Sequence, residues 1–254
     1  MTLKFLGSGT SQGVPVIGCK CEVCTSINPK DQRFRSSVLI TTDNGKKILI
    51  DCGPDFRQQM LNNKEAHIDA VMLTHEHNDH VIGLDDLRPL IYKNKADMPI
   101  YCTNRVANEI KDRFAYAFAE VRYPGAPAFE IEIIDEAFNL YDAKITPIKV
   151  LHHTLPVLGF KFKNSAYITD ASFISDEEKD KLFNLDYLVL NCIRREKQHP
   201  AHFILPDVLK LNDELNPKKM LLTHISHHFG LHEESNRDLP TNVSLAYDGL
   251  EIEL

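Results

Sequence analysis

The chain is a succession of short apolar runs separated by polar or turn-forming segments. Runs bounded by Gly, Asn, Asp or Pro predict strands, whereas apolar residues that recur every three or four positions predict helices. Strands are predicted over residues 2–6, 36–42, 47–51, 69–74, 99–102, 131–134, 145–151, 159–162, 166–169, 187–192 and 219–223, with one or two edge strands in 243–254. Helices are predicted over residues 55–63, 81–92, 105–118, 176–183 and 205–215. This mixture predicts an α/β fold.

Local signals refine this pattern. Asn44-Gly45, between the second and third predicted strands, is typical of a tight hairpin turn. Asn104 is a candidate N-cap for the helix over 105–118, whose apolar stripe we expect to pack in the core. Residues 121–129 contain two prolines and therefore predict neither a regular helix nor a central strand. Their aromatic residues either line a substrate entrance or belong to a structural loop.

The densest group of ionisable side chains follows the predicted strand 69–74. His75 and His77 point the same way if the chain stays extended, because side chains alternate with a period of two. A turn after Asn78 brings Asp79 and His80 back towards the same point. Imidazole and carboxylate groups bind Zn²⁺, Mn²⁺ and Fe²⁺, and so many donors crowd a single tetrahedral ion, which indicates two metals. The alternative is a polar loop with surface histidines.

Other predicted strands also end in potential metal ligands. The strand 145–151 is followed by His152-His153, 166–169 by Asp170, and 219–223 by His224. The strand 47–51 ends in an acid, Asp51. Because α/β folds place their chemistry at strand ends, we interpret this repetition as a functional site.

Two motifs lie near the N-terminus. Cys19, Cys21 and Cys24 have the spacing C-x-C-x-x-C, which in a reducing compartment favours zinc over disulfides. Such a zinc needs a fourth ligand, and a closed Cys₃His set would be structural; the alternative is three unbound thiols. The glycine-rich segment 7–15 is either a tight turn or a phosphate cradle, although it matches no P-loop or dinucleotide fingerprint.

Composition narrows the function. A chain of 254 residues accommodates one large α/β domain or two small ones, and the lack of a linker or repeat favours a single domain over 1–254. The net charge of −7 argues against a general affinity for nucleic acid. No apolar run approaches the roughly 18 residues of a membrane span, and the N-terminus lacks the features of a signal peptide. We therefore expect a cytoplasmic protein without a membrane partner.

The motif His-x-His-x-Asp-His resembles that of the metallo-β-lactamase fold hydrolases. The resemblance implies a four-layer αββα sandwich with a dinuclear metal site at one edge of its two sheets. It further implies that Asp170 bridges the two metals and that His153 completes the first site, with His152 as the competing candidate. The implied ligands are His75, His77, Asp79, His80, His153, Asp170 and His224.

A closer resemblance, to the phosphoribosyl cyclic phosphodiesterases or PhnP-like proteins, covers nearly the whole chain. It rests on Gly-x-Gly-Thr-x-x-Gly-Val-Pro with the following cysteines, on Leu-Thr-His-Ile-Ser-His over 222–227, and on Tyr-Asp-Gly-Leu-Glu-Ile over 247–252. It implies a structural zinc on Cys19, Cys21, Cys24 and His227. It also implies a catalytic histidine outside the metal shell, His202, and a homodimer.

The predicted function is hydrolysis of a small cyclic phosphodiester, such as phosphoribosyl 1,2-cyclic phosphate, by hydroxide that two Mn²⁺ or Zn²⁺ ions activate. His202 protonates the leaving oxygen and Asp79 orients the attacking water. Arg194 and Arg195 either bind a phosphate group or are solvated surface residues. The alternatives are a tRNA 3′-processing endonuclease of the same fold and a non-catalytic, zinc-stabilised accessory protein.

Overall fold

The computed structural model describes residues 1–121 and 123–254 and has two mixed β-sheets packed face to face. The strands in the described residues are β1 Thr2–Gly7, β2 Ser37–Thr41, β3 Lys47–Ile50, β4 Ala70–Met72, β5 Met98–Cys102, β6 Phe129–Ile133, β7 Phe138–Leu140, β8 Ala143–His152, β9 Leu155–Phe162, β10 Ser165–Ile168, β11 Phe173–Ile174, β12 Tyr187–Asn191, β13 Lys219–Thr223, β14 Val243–Leu245 and β15 Glu251–Glu253. One sheet has the order β15-β1-β2-β3-β4-β5-β6. The other has the order β11-β8-β9-β10-β12-β13-β14, with β7 also paired to β8.

Helices cover the outer faces of both sheets. The α-helices in the described residues are α1 Glu22–Thr25, α2 Phe56–Asn62, α3 Asn78–Val81, α4 Arg88–Asn94, α5 Asn104–Arg113, α6 Asp176–Lys179, α7 Leu205–Leu215 and α8 His232–Arg237. Short 3₁₀ helices occupy Pro29–Asp31, Ile82–Leu87 and Ala115–Ala117. None of the helices in this part of the chain is both long and apolar enough to cross a membrane.

Side-chain alternation along the strands builds three apolar layers. In β3, Ile48 and Ile50 point between the sheets, whereas Leu49 points outward to the helices α2, α4 and α5. In β12, Val189 points between the sheets and Leu188 outward, towards α7. Strands buried on both faces read as continuous apolar runs, which is the pattern seen in the sequence. The layers confirm the expected αββα sandwich.

Parallel pairing directs several strand ends to one edge. The pairs β3 with β4, β10 with β12, and β12 with β13 are all parallel. Their carboxyl ends therefore lie side by side, and the chemistry-bearing residues that follow them come together there.

Some sequence-based boundaries need correction. The helix predicted over 105–118 ends at Arg113, because Phe114 leaves helical geometry (φ −112°, ψ 38°) and a 3₁₀ turn follows. Its N-cap is Thr103, whose side chain accepts a hydrogen bond from the backbone N–H of Val106, so the expected cap at Asn104 is wrong. The helix predicted over 176–183 ends at Lys179.

The proline-containing segment 121–129 is irregular until β6 begins at Phe129, as its prolines require. Arg122 lies outside the described residues. Val121 and Tyr123, on either side of it, are exposed. The two tail strands are both edge strands, but β14 belongs to one sheet and β15 to the other.

Candidate metal centre

Eight side chains converge at the edge where the parallel strands end. We call them the histidine–aspartate cluster: His75, His77, Asp79, His80, His152, Asp170, His202 and His224. They come from five separate segments, one at the end of β8 and the others after β4, β10, β12 and β13. Residues that are far apart in the sequence therefore form one contiguous site.

The segment after β4 places its residues as the alternation argument predicts. The ring centroids of His75 and His77 lie 4.6 Å apart, while Glu76 between them forms an ion pair with Arg105 of α5. The chain is still extended at His77 and turns into α3 at the next residue. That turn brings the ring of His80 to 4.2 Å from the ring of His75.

Asp170 lies at the centre of the cluster. Its Oδ2 atom is 3.3 Å from Nε2 of His80 and 3.2 Å from Nδ1 of His224, and its Oδ1 atom is 3.8 Å from Nδ1 of His202. Thr169 donates a hydrogen bond from Oγ1 to the same carboxylate at 2.7 Å. Burial opposes ionisation, but His224 and His80 outweigh it and hold the pKa of Asp170 well below its ordinary value.

Three residues at this edge have left-handed backbones. The φ angles are +64° at Asp51, +55° at Asp170 and +56° at His224. Such a conformation costs a non-glycine residue roughly 1–2 kcal/mol. Asp51 and His224 directly follow a strand and Asp170 comes two residues after one, so the positive φ turns each side chain onto the sheet edge. Backbone strain of this kind typically concentrates at functional sites.

Asp51 is not one of the eight cluster residues but contacts His80, a role that the sequence analysis did not assign. Its Oδ2 atom is 2.7 Å from Nδ1 of His80, and Oδ1 accepts a hydrogen bond from the backbone N–H of Thr74 at 2.9 Å. This carboxylate fixes the imidazole with Nδ1–H towards Asp51 and Nε2 towards Asp79 and Asp170. The sequence feature that could have indicated this role is the acid at the end of the predicted strand 47–51.

His152, and not His153, faces the cluster, which corrects the preference for His153. The ring of His152 lies 5.2 Å from that of His77 and 4.6 Å from that of His202. His152 is the last residue of β8, whereas His153 has a φ of +57° in the turn that follows. That turn exposes the side chain of His153, whose backbone N–H bonds to Ser172.

His202 is brought in by the loop after β12. Its ring stacks on that of His224 at 4.7 Å, and the backbone N–H of Phe203 bonds to the carbonyl of Ala171. Burial, together with the neighbouring His224, lowers the pKa of His202 to about 2. The free imidazole is therefore neutral at pH 7.

The glycine-rich segment packs against the cluster as a tight turn. The backbone N–H groups of Gly9, Thr10 and Gly13 all donate to protein carbonyls. A phosphate cradle would need these donors free, so the structure favours the tight turn. Oγ1 of Thr10 is instead 3.2 Å from Nε2 of His224. Ser36 contacts the other ring nitrogen of the same histidine at 3.2 Å.

The donors of the cluster fit divalent cations. His75, His80 and Asp170 offer atoms within 4.8 Å of one another, as do His152, Asp170 and His202. Nε2 of His80 is buried 3.1 Å from Asp79 and 3.3 Å from Asp170, but no contact that it makes with the described residues has hydrogen-bond geometry. Although burial opposes it, the carboxylates of Asp79, Asp170 and Asp51 raise the pKa of His80 well above its ordinary value. The interior of the cluster therefore favours positive charge.

A second group, which we call the thiol cluster, consists of Cys19, Cys21, Cys24 and His227. The three Sγ atoms lie 3.3, 3.4 and 3.5 Å from Nδ1 of His227. Tetrahedral zinc separates sulfur and nitrogen ligands by about 3.5 Å, given its usual bond lengths. The backbone of Cys24, by a hydrogen bond, lowers the pKa of the Cys21 thiol to about 6. The arrangement fits a closed zinc site.

Arg194 and Arg195, predicted either to bind a phosphate group or to be solvated surface residues, lie in the loop after β12. Arg194 donates from Nε and Nη2 to the carbonyls of Lys197 and Gln198. Arg195 donates to the carbonyl of Phe229 and forms an ion pair with Asp238. Both arginines line a cavity of about 400 Å³.

Comparison with known proteins identifies relatives of the chain. Residues 46–225 match the model of the beta-lactamase superfamily domain. The octanoyltransferase of Porphyromonas gingivalis is 42% identical over 99% of this chain, and the chain spans only 51% of that protein's length.

Two solved structures extend this comparison. The structure of a diphosphatase from the PhnP family superposes with a TM-score of 0.92 and 42% identity, covering 100% of this chain and 97% of that one. Zinc-bound PqqB from Methylobacterium extorquens gives a TM-score of 0.81 with full coverage of both chains, but only 19% identity, which shows the fold alone.

Proposed function

The chain belongs to the metallo-β-lactamase superfamily and, within it, to the PhnP family, and we propose on this premise that it hydrolyses a small cyclic phosphodiester such as phosphoribosyl 1,2-cyclic phosphate. The observation that carries the proposal is the position of Asp170, whose carboxylate contacts His80, His224 and His202 at one sheet edge. A carboxylate shared by histidines from different segments is suited to two cations held close together.

The proposed catalytic metal ligands are those of the cluster around Asp170, with His152 in the place expected for His153. They are His75, His77, Asp79, His80, His152, Asp170 and His224. When bound, two Mn²⁺ or Zn²⁺ ions would neutralise the phosphate charge and lower the pKa of water towards neutrality. We assign one further Zn²⁺, with a structural role, to the thiol cluster.

His202 is the proposed donor to the leaving oxygen. It is held beside His224 and His152 without occupying the centre of the cluster. A bound phosphodiester brings negative charge next to this imidazole, which raises its pKa and favours the protonated form. A proton from the imidazole then neutralises the alkoxide as the bond from phosphorus to oxygen breaks.

Asp79 is the proposed orienting group for the attacking water. Its carboxylate is partly exposed, with Oδ2 3.1 Å from Nε2 of His80. Although burial opposes it, His80 holds the pKa of Asp79 below its ordinary value, so the group is an anionic acceptor at neutral pH. An anionic acceptor fixes the direction of a water's hydrogen atoms.

A phosphoanhydride is the second candidate substrate. The relative with 42% identity over the full chain is described as a diphosphatase, and the same donor set would serve attack on either kind of phosphorus centre. Substrate specificity must therefore be measured directly.

The test is a hydrolysis panel with the metallated protein. It contains ribose 1,2-cyclic phosphate 5-phosphate, a 2′,3′-cyclic nucleotide, an aryl phosphodiester, a diphosphate, precursor tRNA and a thioester. We expect the cyclic phosphodiesters to turn over fastest. Fastest cleavage of the diphosphate would favour the second candidate, and cleavage of tRNA would favour the nuclease alternative.

The matched variants are His202→Ala and His67→Ala, the second on a surface histidine paired with Asp69. We expect His202→Ala to lower kcat by about 10²-fold or more and to leave metal content unchanged. His67→Ala should behave as wild type. Loss of metal in His202→Ala would contradict the assigned role.

A further inference from the structure

The segment after β4 presents different side chains to its two sides. The chain is extended until α3 begins at Asn78, so successive side chains alternate in direction. His75 and His77 belong to the histidine–aspartate cluster, with ring centroids 4.6 Å apart. Glu76 and Asn78 instead contact arginines of α5. Glu76 is therefore turned away from the proposed metal ligands, although it lies between two of them in the sequence.

The two arginines lie near the ends of α5, and we call Arg105 and Arg113 the arginine pair. Arg105 forms an ion pair with the carboxylate of Glu76. Arg113 donates from Nη1 to the side-chain oxygen of Asn78 at 2.8 Å and to the backbone carbonyl of Glu76. At the rise of an α-helix, the two arginines stand about 12 Å apart along its axis. They therefore hold the segment after β4 at two separate points.

The helix that carries the arginine pair is itself fixed by the core. Val106, Ala107 and Ile110 of α5 are buried in the same apolar layer as Leu49 of β3. The side chain of Thr103 caps the first turn of the helix. Side chains mounted on a packed element of this kind hold their partners more precisely than side chains on a loop do. The helix α5 is thus a rigid support for the segment after β4.

Arg105 also joins the two sheets. Its Nη1 atom contacts Glu76, which directly precedes His77, and its Nη2 atom donates to the backbone carbonyl of Pro156. Pro156 lies in β9, which pairs with β8, the strand that ends in His152. The rings of His77 and His152 lie 5.2 Å apart, although the two residues come from different sheets. One guanidinium therefore contacts the local structure on both sides of this pair of histidines.

Burial makes the contact between Arg105 and Glu76 a strong one. The side chain of Glu76 is only 12% exposed, and that of Arg105 is 36% exposed. Removal of one partner from such a pair leaves a largely buried charge without compensation, which disturbs the surrounding structure. The planar guanidinium also presents several N–H donors in a fixed fork, so that one side chain can contact two acceptors at once.

We propose that Arg105 is a positioning residue, which fixes the separation of His77 and His152 before a metal binds. Arg113 adds a second anchor by holding the start of α3. The proposal rests on the proposed function, because it takes both histidines as metal ligands. Ligands that are already held in place lose less conformational freedom when an ion binds. The arginine pair should therefore raise the metal affinity of the histidine–aspartate cluster and leave that of the thiol cluster unchanged.

The first test measures metal affinity. Isothermal titration of the metal-stripped full chain with Mn²⁺ reports the histidine–aspartate cluster, because thiolates select zinc over Mn²⁺. We expect the dissociation constant to be about tenfold higher for Arg105→Gln than for the wild type. The matched control, Lys111→Gln, removes an exposed cation from the same helix and should bind as the wild type does. An unchanged dissociation constant in Arg105→Gln, or an equal rise in both variants, would overturn the proposal.

A double-mutant cycle separates positioning through Glu76 from a general loss of stability. We expect Glu76→Gln alone to raise the Mn²⁺ dissociation constant about tenfold, as Arg105→Gln does. Because both changes break the same contact, the double variant should also show a rise of about tenfold. A rise of about 100-fold, the product of two independent effects, would show that Arg105 does not act through Glu76. Zinc content at the thiol cluster should be the same in all these variants.

The conservative variant Arg105→Lys separates charge from geometry. Lysine keeps the positive charge, but its ammonium is a point charge that lacks the fork needed to contact Glu76 and Pro156 together. We expect a Mn²⁺ dissociation constant between those of the wild type and Arg105→Gln. Complete recovery of the wild-type value would show that charge alone is sufficient and would contradict the link between the two sheets.

Activity measured on the same proteins distinguishes failure of this proposal from failure of the proposed function. If no compound in the hydrolysis panel is cleaved but Arg105→Gln still binds Mn²⁺ about tenfold more weakly than Lys111→Gln, the proposed function fails and the positioning role stands. If the cyclic phosphodiesters are cleaved but both variants bind Mn²⁺ as the wild type does, the proposed function stands and the positioning role is contradicted.

Discussion

The two candidate metal centres of this protein are built in opposite ways. The thiol cluster takes three ligands from six consecutive residues, 19–24, and a fourth from His227. Its sulfur atoms lie at nearly equal distances from one imidazole nitrogen, in a partly exposed segment that ends in α1. The histidine–aspartate cluster draws eight residues from five segments, and several of them are completely buried.

The clusters also differ in what surrounds them. His80 and His224 of the histidine–aspartate cluster are held by Asp51, Thr10 and Ser36. The number of donors exceeds what one ion accepts, and His202 stands at the margin. Four ligands that saturate a tetrahedral ion make a structural site, whereas a catalytic site keeps a position for water or substrate. From this comparison we propose that the thiol cluster contributes to stability and the histidine–aspartate cluster to catalysis.

The largest expected effect is that of Asp170→Asn. It removes the carboxylate shared by three histidines, so we expect hydrolysis to fall to background and the metal content of the histidine–aspartate cluster to fall with it. The metal at the thiol cluster should remain. Elemental analysis and steady-state kinetics measure both quantities, with the surface variant Asp213→Asn as control. Full activity of Asp170→Asn would contradict the proposed catalytic role of the histidine–aspartate cluster.

An intermediate effect should separate two adjacent histidines. We expect His152→Ala to weaken metal binding or lower kcat/KM by at least about 10–100-fold, because removal of a group that only supports a metal ligand already has an effect of this size. His153→Ala changes an exposed side chain in the turn after β8 and should leave both quantities near the wild-type values. Metal titrations of the two variants test this, and the reverse result would restore the original preference for His153.

The smallest expected effect on activity is that of Cys24→Ser. It removes a proposed thiol ligand on α1, outside the histidine–aspartate cluster, so the protein should lose one metal equivalent and most of its kcat should remain. We expect the melting temperature to fall by ~5–10 °C, because a structural metal contributes directly to folding. Thermal unfolding measures this change, and Thr25→Ser on the same helix is the control. Loss of activity at a temperature where the variant is folded would contradict the structural assignment.

The site residues that could be predicted from the sequence were mainly those whose positions depend on local interactions or on the alignment of strand ends. The run from His75 to His80 was interpretable because strand alternation and the start of α3 are local. The strand-end pattern also pointed to Asp170 and His224, since parallel pairing aligns strand ends. The choice between His152 and His153 depended on a positive φ in the turn, which no side-chain pattern specifies.

Two further features could not be predicted because they depend on contacts between residues distant in the sequence. Asp51 was visible as a strand-end acid, but its contact with His80 spans 29 residues and requires the β3–β4 pairing. The cavity beside Arg194 and Arg195 is also lined by Lys197 and His228, which come from the loops after β12 and β13, and no sequence pattern links these two residues. The cap at Thr103 in place of Asn104 was a one-residue error in a local pattern, typical of helix ends.

The most direct test of the division between the two clusters is a metal titration of the metal-stripped protein, with hydrolysis of ribose 1,2-cyclic phosphate 5-phosphate followed at each added equivalent of Zn²⁺ or Mn²⁺. The account predicts that Cys24→Ser reaches near wild-type activity with one equivalent fewer, and that Asp170→Asn remains inactive at every equivalent. Activity that follows occupancy of the thiol cluster, lost in Cys24→Ser and kept in Asp170→Asn, would contradict it.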